Sequence, residues 1–261
     1  MSALSSVPRL ATRPFRRAGS TRPRKYRSAV VMSELPKITY FNGVGRCASP
    51  PDAENFYTER ITHTSSSPHR SVFGLRVAMF KAFGNDGWID ERLQFPEFKE
   101  RKPTLPLGYL PVLSIDEEIF TQTEPMVRWA ARISGLYPID LKEAMRVDEV
   151  CAVAHEVLYK CPFDADEEVK KAKRLEYAEG QMLQNMSYVD SKLAGSSNGF
   201  LLPGGISMAD LQLYMVVHMI RTGNFDHIEP EYVDRFPNIC KNAAAVEADP
   251  LIVEYRANYP N

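Results

Sequence analysis

The first 33 residues of the chain contain no acidic side chain. They hold seven arginines and Lys25, and Glu34 is the first carboxylate in the sequence. The whole chain has a formal net charge of −1, but the residues after 33 carry 24 basic side chains against 33 acidic ones, a net of −9. An acidic body binds the phosphate backbone of nucleic acids poorly. The sequence therefore predicts that nucleic acid is not a partner.

Cysteine is scarce, and long apolar runs are lacking. Four cysteines occur in 261 residues, none in a Cys-x-x-Cys pair, which excludes a disulfide scaffold, a zinc ribbon and a thioredoxin-type dithiol. A membrane-spanning helix needs roughly 18 or more consecutive apolar residues, and the chain has no such run. The five histidines show no metal-ligand spacing. We therefore expect neither a metal nor a membrane as a partner.

The basic segment 1–33 is rich in Arg and Ser and is broken by three prolines. This composition is typical of an organelle transit peptide, and the apolar stretch 29–32 is too short for the core of a secretory signal. The alternative is a disordered basic tail. We expect the protein in a plastid or mitochondrion after removal of this segment, and otherwise in the cytoplasm.

The hydrophobic pattern changes along the chain at Pro138. Before it, the pattern predicts strands over 38–41 and 88–94, helices over 71–83 and 124–134, and a β-hairpin over 110–121. After it, only helices are predicted, over 140–160, 165–194, 208–221, 236–246 and 248–256. The fold class is therefore an α/β unit followed by an all-α unit, with domains at 37–135 and 140–257. A polar, proline-containing insertion, 47–70, interrupts the first domain.

Four segments carry a resemblance to a known family. They are ITYFNGVGR (38–46), TLPLGYLPVL (104–113), TQTEPMVRWAARISGLYP (121–138) and FLLPGGISMADLQLY (200–214). In this order and spacing the chain resembles the glutathione transferases, nearest to the sigma-like group that includes glutathione-dependent prostaglandin D synthase. The resemblance implies a thioredoxin-like N-terminal domain, a helical-bundle C-terminal domain, a homodimer, glutathione as co-substrate and a small electrophile as acceptor.

Tyr40 is the catalytic candidate. It lies near the end of the first predicted strand, where a phenol can point into a cleft and donate a hydrogen bond to a sulfur atom. Such a bond favours the thiolate, which is the nucleophilic form of a thiol. The resemblance implies this role for Tyr40 toward glutathione. The alternative is an aromatic side chain packed in the core.

Two further segments are candidates for holding the peptide. Pro111 lacks an N–H and precedes a strand, and a cis Leu110–Pro111 bond would explain its place there. The resemblance implies that the backbone of Leu110, with Tyr109 beside it, pairs with the cysteinyl part of glutathione. Thr123 is predicted to cap a helix, and with Gln122 it would hold the γ-glutamyl carboxylate at the positive helix end.

Two different alignments with the family select different residues to meet the glycine carboxylate of glutathione. Alignment without a gap selects Lys102 and Phe98, whereas matching the Phe-Pro-Glu-Phe-Lys string selects Lys99 and Phe95 and needs a three-residue insertion. We prefer the first pair, and a solvated surface charge is the alternative for either lysine. Arg46 matches the arginine that follows the first strand in the family. Because the insertion 47–70 follows it, Arg70 is the alternative.

Three other residues have weaker claims. Glu156 lies where the family often has an acid reaching across a dimer interface, but a solvated charge is favoured. Asp210 is expected to form a capping box with Ser207, and Cys47 lies too far from the strand end to match cysteine-type relatives.

The predicted function is a glutathione transferase. The alternatives are a glutathione-dependent isomerase or peroxidase, or a non-catalytic binding or structural protein.

Overall fold

The structure, a computed structural model, describes residues 32–41 and 72–259. Several sequence-based predictions concern other parts of the chain. These are nearly all of the transit peptide 1–33, the insertion 47–70, and the candidates Arg46, Cys47 and Arg70, which lie outside the described residues.

A four-stranded mixed sheet forms the first half. Its strands are β1 (Lys37–Phe41), β2 (Ile89–Leu93), β3 (Val112–Ile115) and β4 (Glu118–Thr121), in the order β2-β1-β3-β4. β1 is parallel to β2 and antiparallel to β3, and β3 and β4 form the predicted hairpin. Asp116 in the turn has a φ of 51°, a left-handed conformation that aspartate tolerates better than most residues.

Within residues 32–41 and 72–135, helices accompany this sheet. They are α1 (Phe73–Phe83), α2 (Phe95–Arg101) and α3 (Thr123–Ser134), and α1 packs against α3. The sequence pattern did not predict α2, because the polar stretch after Phe95 contains Pro96. Proline is tolerated in the first helical turn, and Gln94 and Glu97 form a reciprocal capping box there.

The second half is helical. Its helices are α4 (Leu141–Tyr159), α5 (Glu167–Tyr177), α6 (Leu183–Leu193), α7 (Met208–Arg221), α8 (Pro237–Ala248) and α9 (Pro250–Asn258). Helix α7 is buried on nearly all sides and packs against α4, α8 and α1, so it joins the core of the two halves. The predicted fold class, a thioredoxin-like domain followed by a helical domain, is confirmed. The exact domain boundaries remain a prediction.

The single helix predicted over 165–194 is wrong. The backbone departs from helical geometry at Gly180, with φ −105° and ψ −109°, and separates α5 from α6 through a π-helical turn. Glycine permits this break because it has no Cβ. Helix α5 also begins two residues later than predicted, because Asp166 accepts the N–H groups of Glu168 and Val169 and so caps the helix.

Gly74 lies where α1 approaches α7. A Cβ added there would lie 3.6 Å from the Leu211 Cβ, an ordinary contact distance. We expect Gly74→Ala to raise the free energy of unfolding by up to about 1 kcal/mol, because alanine favours the helix. Gly199→Ala should lower it, because Gly199 has a φ of 83° and its Cβ would lie 2.8 Å from the Ala245 Cβ. Urea unfolding of both variants measures the two changes in the free energy of unfolding. Changes of the same sign in the two variants would contradict this prediction.

Candidate functional site

Tyr40 lies inside the core rather than at an open cleft. Side chains alternate across β1, so Tyr40 and Ile38 face the main core with α1, while Phe41 faces a smaller cluster with α2. The Tyr40 residue is only 1% exposed. The strand end lies where the sequence predicted it, and the burial of the ring matches the alternative of an aromatic side chain packed in the core.

Three charged side chains surround the Tyr40 ring. The guanidinium carbons of Arg76 and Arg92 lie 5.7 and 5.8 Å from the ring centroid. Asp90 pairs with Arg76 at 3.0 Å and with Arg92 at 2.9 Å. Burial raises the pKa of Tyr40 well above its usual value, the charge of Arg76 opposes this, and the nearby Asp90 carboxylate adds to it. Tyr40 is therefore held as a neutral phenol.

The C-terminal helix covers this charged cluster. Arg76 is 4% exposed, and its guanidinium lies 5.4 Å from the ring centroid of Tyr255 and 5.2 Å from that of Tyr259. The Tyr259 hydroxyl donates to the carbonyl of Asn85 at 3.4 Å. Helix α9 thus closes the side of β1 on which Tyr40 lies.

The Leu110–Pro111 peptide bond is cis, as predicted. It directly precedes β3, whose first residue, Val112, pairs with Thr39 of β1. The cis bond therefore lies beside the end of β1. The ladder begins at Val112, so the backbone of Leu110 lies outside it and both Tyr109 and Leu110 are half-buried.

The start of α3 lies next to this bond. Val112 pairs with Thr121, which brings the following Gln122 and Thr123 to the same edge of the sheet. Thr123 is the first helical residue and not the cap; the cap position is Gln122, which has a φ of 69°. The Gln122 amide donates to the Tyr109 hydroxyl at 2.7 Å. The structure thus brings four predicted positions together: Tyr109, Leu110, Gln122 and Thr123.

The two candidates for the glycine carboxylate have different environments. Phe98 is buried with Leu105 and Val112, and its ring centroid lies 4.7 Å from that of Phe41. Lys102 is exposed, and a Cβ added to Gly108 would lie 3.7 Å from its Cε. Lys102 thus extends along the loop that leads to Tyr109, whereas Phe98 packs in the interior.

Sequence reasoning missed a groove between α3 and α4. It has a volume of about 390 Å³ and is lined by Glu124, Ala152, His155, Glu156, Tyr159 and Lys160. The rings of His155 and Tyr159 lie 3.9 Å apart, and burial lowers the pKa of His155, with the charge of Glu124 opposing. Glu156 pairs with Lys160 at 3.0 Å. The α4 residues that line the groove recur at intervals of three and four, which places them on one face of the helix, and this spacing could have revealed the groove from the sequence.

Within residues 32–41 and 72–259, no helix is both long and apolar enough to cross a membrane. The same residues contain no group of three or more His, Cys, Asp and Glu side chains arranged to hold a metal ion.

Comparison with known proteins gives matches in both sequence and fold. Residues 154–259 match the family model described as "Glutathione S-transferase, C-terminal domain". The chain is similar to glutathione S-transferase 2 of Manduca sexta, with 26% identity over 197 residues and coverage of 71% of this chain and 91% of that protein. It is also similar to glutathione S-transferase 4 of Caenorhabditis elegans, with 24% identity over 190 residues and coverage of 67% and 92%.

Solved structures share the fold. Monomeric Na-GST-3 from Necator americanus has a TM-score of 0.61 at 20% identity, covering 87% of this chain and 98% of that one. Prostaglandin synthase D of Nilaparvata lugens has a TM-score of 0.62 at 18% identity, covering 87% and 100%. The sequence matches extend over most of the chain, and the fold matches include its sheet and its helical half. Residues 154–259 therefore carry a glutathione S-transferase C-terminal domain, and the chain is similar to glutathione S-transferases in sequence and fold over most of its length.

Proposed function

We propose that this protein binds glutathione along the edge formed by Tyr109, Leu110, Gln122 and Thr123 and conjugates it to a small electrophile. The observation that carries the binding step is the cis Leu110–Pro111 bond beside the start of α3. The Leu110 backbone lies outside the β1–β3 ladder, so its N–H and C=O are available to pair with an extended peptide.

The two ends of glutathione would meet groups of opposite charge. The N-terminus of α3 carries partial positive charge and unpaired N–H groups, which favour the γ-glutamyl carboxylate near Thr123. The exposed ammonium of Lys102 would meet the glycine carboxylate. Arg46 lies outside the described residues and stays a prediction, as does a contact with the buried Phe98.

We propose Tyr40 as the group that stabilises the thiolate. Its raised pKa suits a hydrogen-bond donor, because the phenol keeps its proton over the range in which a thiol ionises. The thiol proton would leave to solvent when the thiolate forms. The thiolate sulfur would then bond to the electrophilic carbon, and the bond from that carbon to a leaving group such as chloride would break, with its electron pair departing on the leaving group. Because Tyr40 is covered, this step requires a neighbouring side chain to move before the sulfur can reach the hydroxyl.

The covering of Tyr40 favours a second candidate function. If the hydroxyl stays covered when glutathione is bound, the protein is a glutathione-binding member of the family without turnover. An isomerase or peroxidase would use the same thiolate on a different acceptor, and it shares with the transferase the need for an accessible hydroxyl. Turnover with a model electrophile therefore separates the enzymatic functions from the binding one.

The assignment to the sigma-like group, the homodimer and the organelle location are proposals as well. The dimer is supported by exposed apolar side chains at the start of the helical half, where Ile139, Leu141 and Met145 are 65%, 85% and 66% exposed. The location depends on residues 1–33, whose composition supports a transit peptide. Gel filtration and the N-terminus of the protein isolated from cells test these two proposals.

Calorimetric titration with glutathione tests the binding edge. We expect Thr123→Val to weaken binding about tenfold, because the hydroxyl that would donate to a carboxylate is lost and hydrogen bonds to charged groups contribute about 1.5–3 kcal/mol. Thr104→Val is the matched control, since the Thr104 hydroxyl only donates to the Arg101 carbonyl on the surface. A wild-type protein that binds no glutathione would reject the transferase and the binding function together.

A further inference from the structure

We propose that Asp90, held between Arg76 and Arg92, is a positioning residue that controls how readily the Tyr40 hydroxyl is released to a bound thiolate. This proposal rests on the proposed function, because it concerns the same hydroxyl. It adds residues of β2 and α1 to the site, although the sequence motifs include none of them.

The geometry leaves one oxygen of Asp90 for the phenol. Arg76 Nη2 donates to Asp90 Oδ2 at 3.0 Å, and Arg92 Nε and Nη2 donate to the same oxygen at 3.2 and 2.9 Å. These bonds all end on Oδ2, whereas Oδ1 is buried and accepts no hydrogen bond from the described residues, so it is the oxygen available to the Tyr40 hydroxyl. The sheet register explains the proximity, because Tyr40 pairs with Arg92 and Ile38 with Asp90, so all four side chains share one face.

The charged and titratable groups around Tyr40 come from each element packed on this face. β2 supplies Asp90 and Arg92, α1 supplies Arg76, and phenols come from Tyr255 of α9 and from Tyr259, which directly follows α9. Asp90 is thus the carboxylate of the cluster, and two guanidinium groups face it. Glu91 lies on the opposite face of β2, where it accepts from Thr39 and pairs with Arg101.

A phenol proton directed at a carboxylate is not available to a sulfur atom. Asp90 therefore competes with the thiolate for the same donor, and its negative charge disfavours a second anion nearby. The two arginines weaken this competition because they occupy the carboxylate and offset its charge. The balance of these three side chains then determines how much of the bound thiol is ionised.

Two substitutions of opposite sign test this balance. Asp90→Asn keeps the side-chain size, removes the competing charge and leaves two guanidinium groups, so the fraction of bound glutathione present as thiolate below its pKa should rise about tenfold. Arg92→Gln should lower that fraction by a similar factor. The ultraviolet absorption of the thiolate in the glutathione complex, followed against pH, measures both, and Glu91→Gln is the matched control that should leave it unchanged.

A second measurement needs no glutathione. The ζ-carbon NMR resonance of Tyr40, assigned by its loss in Tyr40→Phe, reports the hydrogen bonding of its hydroxyl. This resonance should shift in Asp90→Asn and in Arg92→Gln, whose wild-type side chain is partly exposed. It should not move in Glu91→Gln. An unshifted resonance in both variants overturns the proposal whether or not glutathione binds. If the Tyr40 resonance shifts but both variants form the thiolate as the wild type does, the proposal is also overturned. If the resonance shifts but the protein binds no glutathione, only the proposed function is overturned.

Discussion

Tyr40→Phe is expected to lower kcat/KM for conjugation of glutathione to a chlorodinitrobenzene by about 10- to 100-fold, the value of one hydrogen bond to a charged atom. The affinity for glutathione should change by less than about twofold, because the lost bond is made to the sulfur and not to the peptide ends. Phenylalanine fills the same volume in the core, so folding should be retained. Steady-state kinetics together with calorimetric titration measure the two effects.

Tyr177→Phe is the matched control for this prediction. Tyr177 is also buried, and its hydroxyl donates to the Val157 carbonyl at 3.0 Å within the helical half. We expect this variant to lose stability and to keep its kcat/KM. If Tyr40→Phe retains full activity, the covered phenol plays no catalytic part; if both variants lose activity equally, the loss comes from packing.

Asp210→Ala is expected to lower the free energy of unfolding by about 3–5 kcal/mol, because each buried donor left without an acceptor costs about 1–3 kcal/mol. The Asp210 carboxylate accepts from the N–H groups of Leu201 and Ser207, from the Ser207 hydroxyl and from the Asn242 amide, at 2.6–2.8 Å. Alanine leaves these buried donors without an acceptor. Urea unfolding followed by circular dichroism measures the change.

Asp166→Ala provides the comparison. Asp166 also accepts two N–H groups at a helix start, but these bonds are exposed to water. The loss there should be about 1 kcal/mol, the usual value of an N-cap. Similar losses in the two variants would mean that the burial of Asp210 adds nothing, and that its network is no more than an ordinary cap.

Local signals in the sequence were sufficient for several features. The hairpin over 112–121 follows from two short apolar segments on either side of Asp116 and Glu117. The capping box of Ser207 and Asp210 is confirmed, and it could be predicted because its two residues are three apart in the chain. The cis bond at Pro111 is likewise a property of one dipeptide beside a strand. Each of these depends on neighbours in the chain, and the sequence displays such neighbours directly.

Local signals failed where a distant contact or a permissive residue decided the outcome. The helix after Gln94 was missed because its polar composition conceals a good N-terminus, and the break at Gly180 was missed because glycine allows a helix as well as a kink. Phe98 is buried with Leu105 and Val112, whereas Phe95, which the other alignment selects, is exposed. No sequence pattern indicates which of two neighbouring phenylalanines turns inward.

The sequence by itself determined where the four strands lie along the chain, the change to helices after Pro138 and the cis bond before β3, since these follow from hydrophobic periodicity and backbone geometry. Only the tertiary structure decided the environment of Tyr40. Its covering comes from Arg76 on α1, from the Asp90 and Arg92 pair on β2 and from Tyr255 on α9, more than two hundred residues away along the chain. Burial and charge depend on everything that packs around a side chain, so they are fixed only when the whole chain has folded.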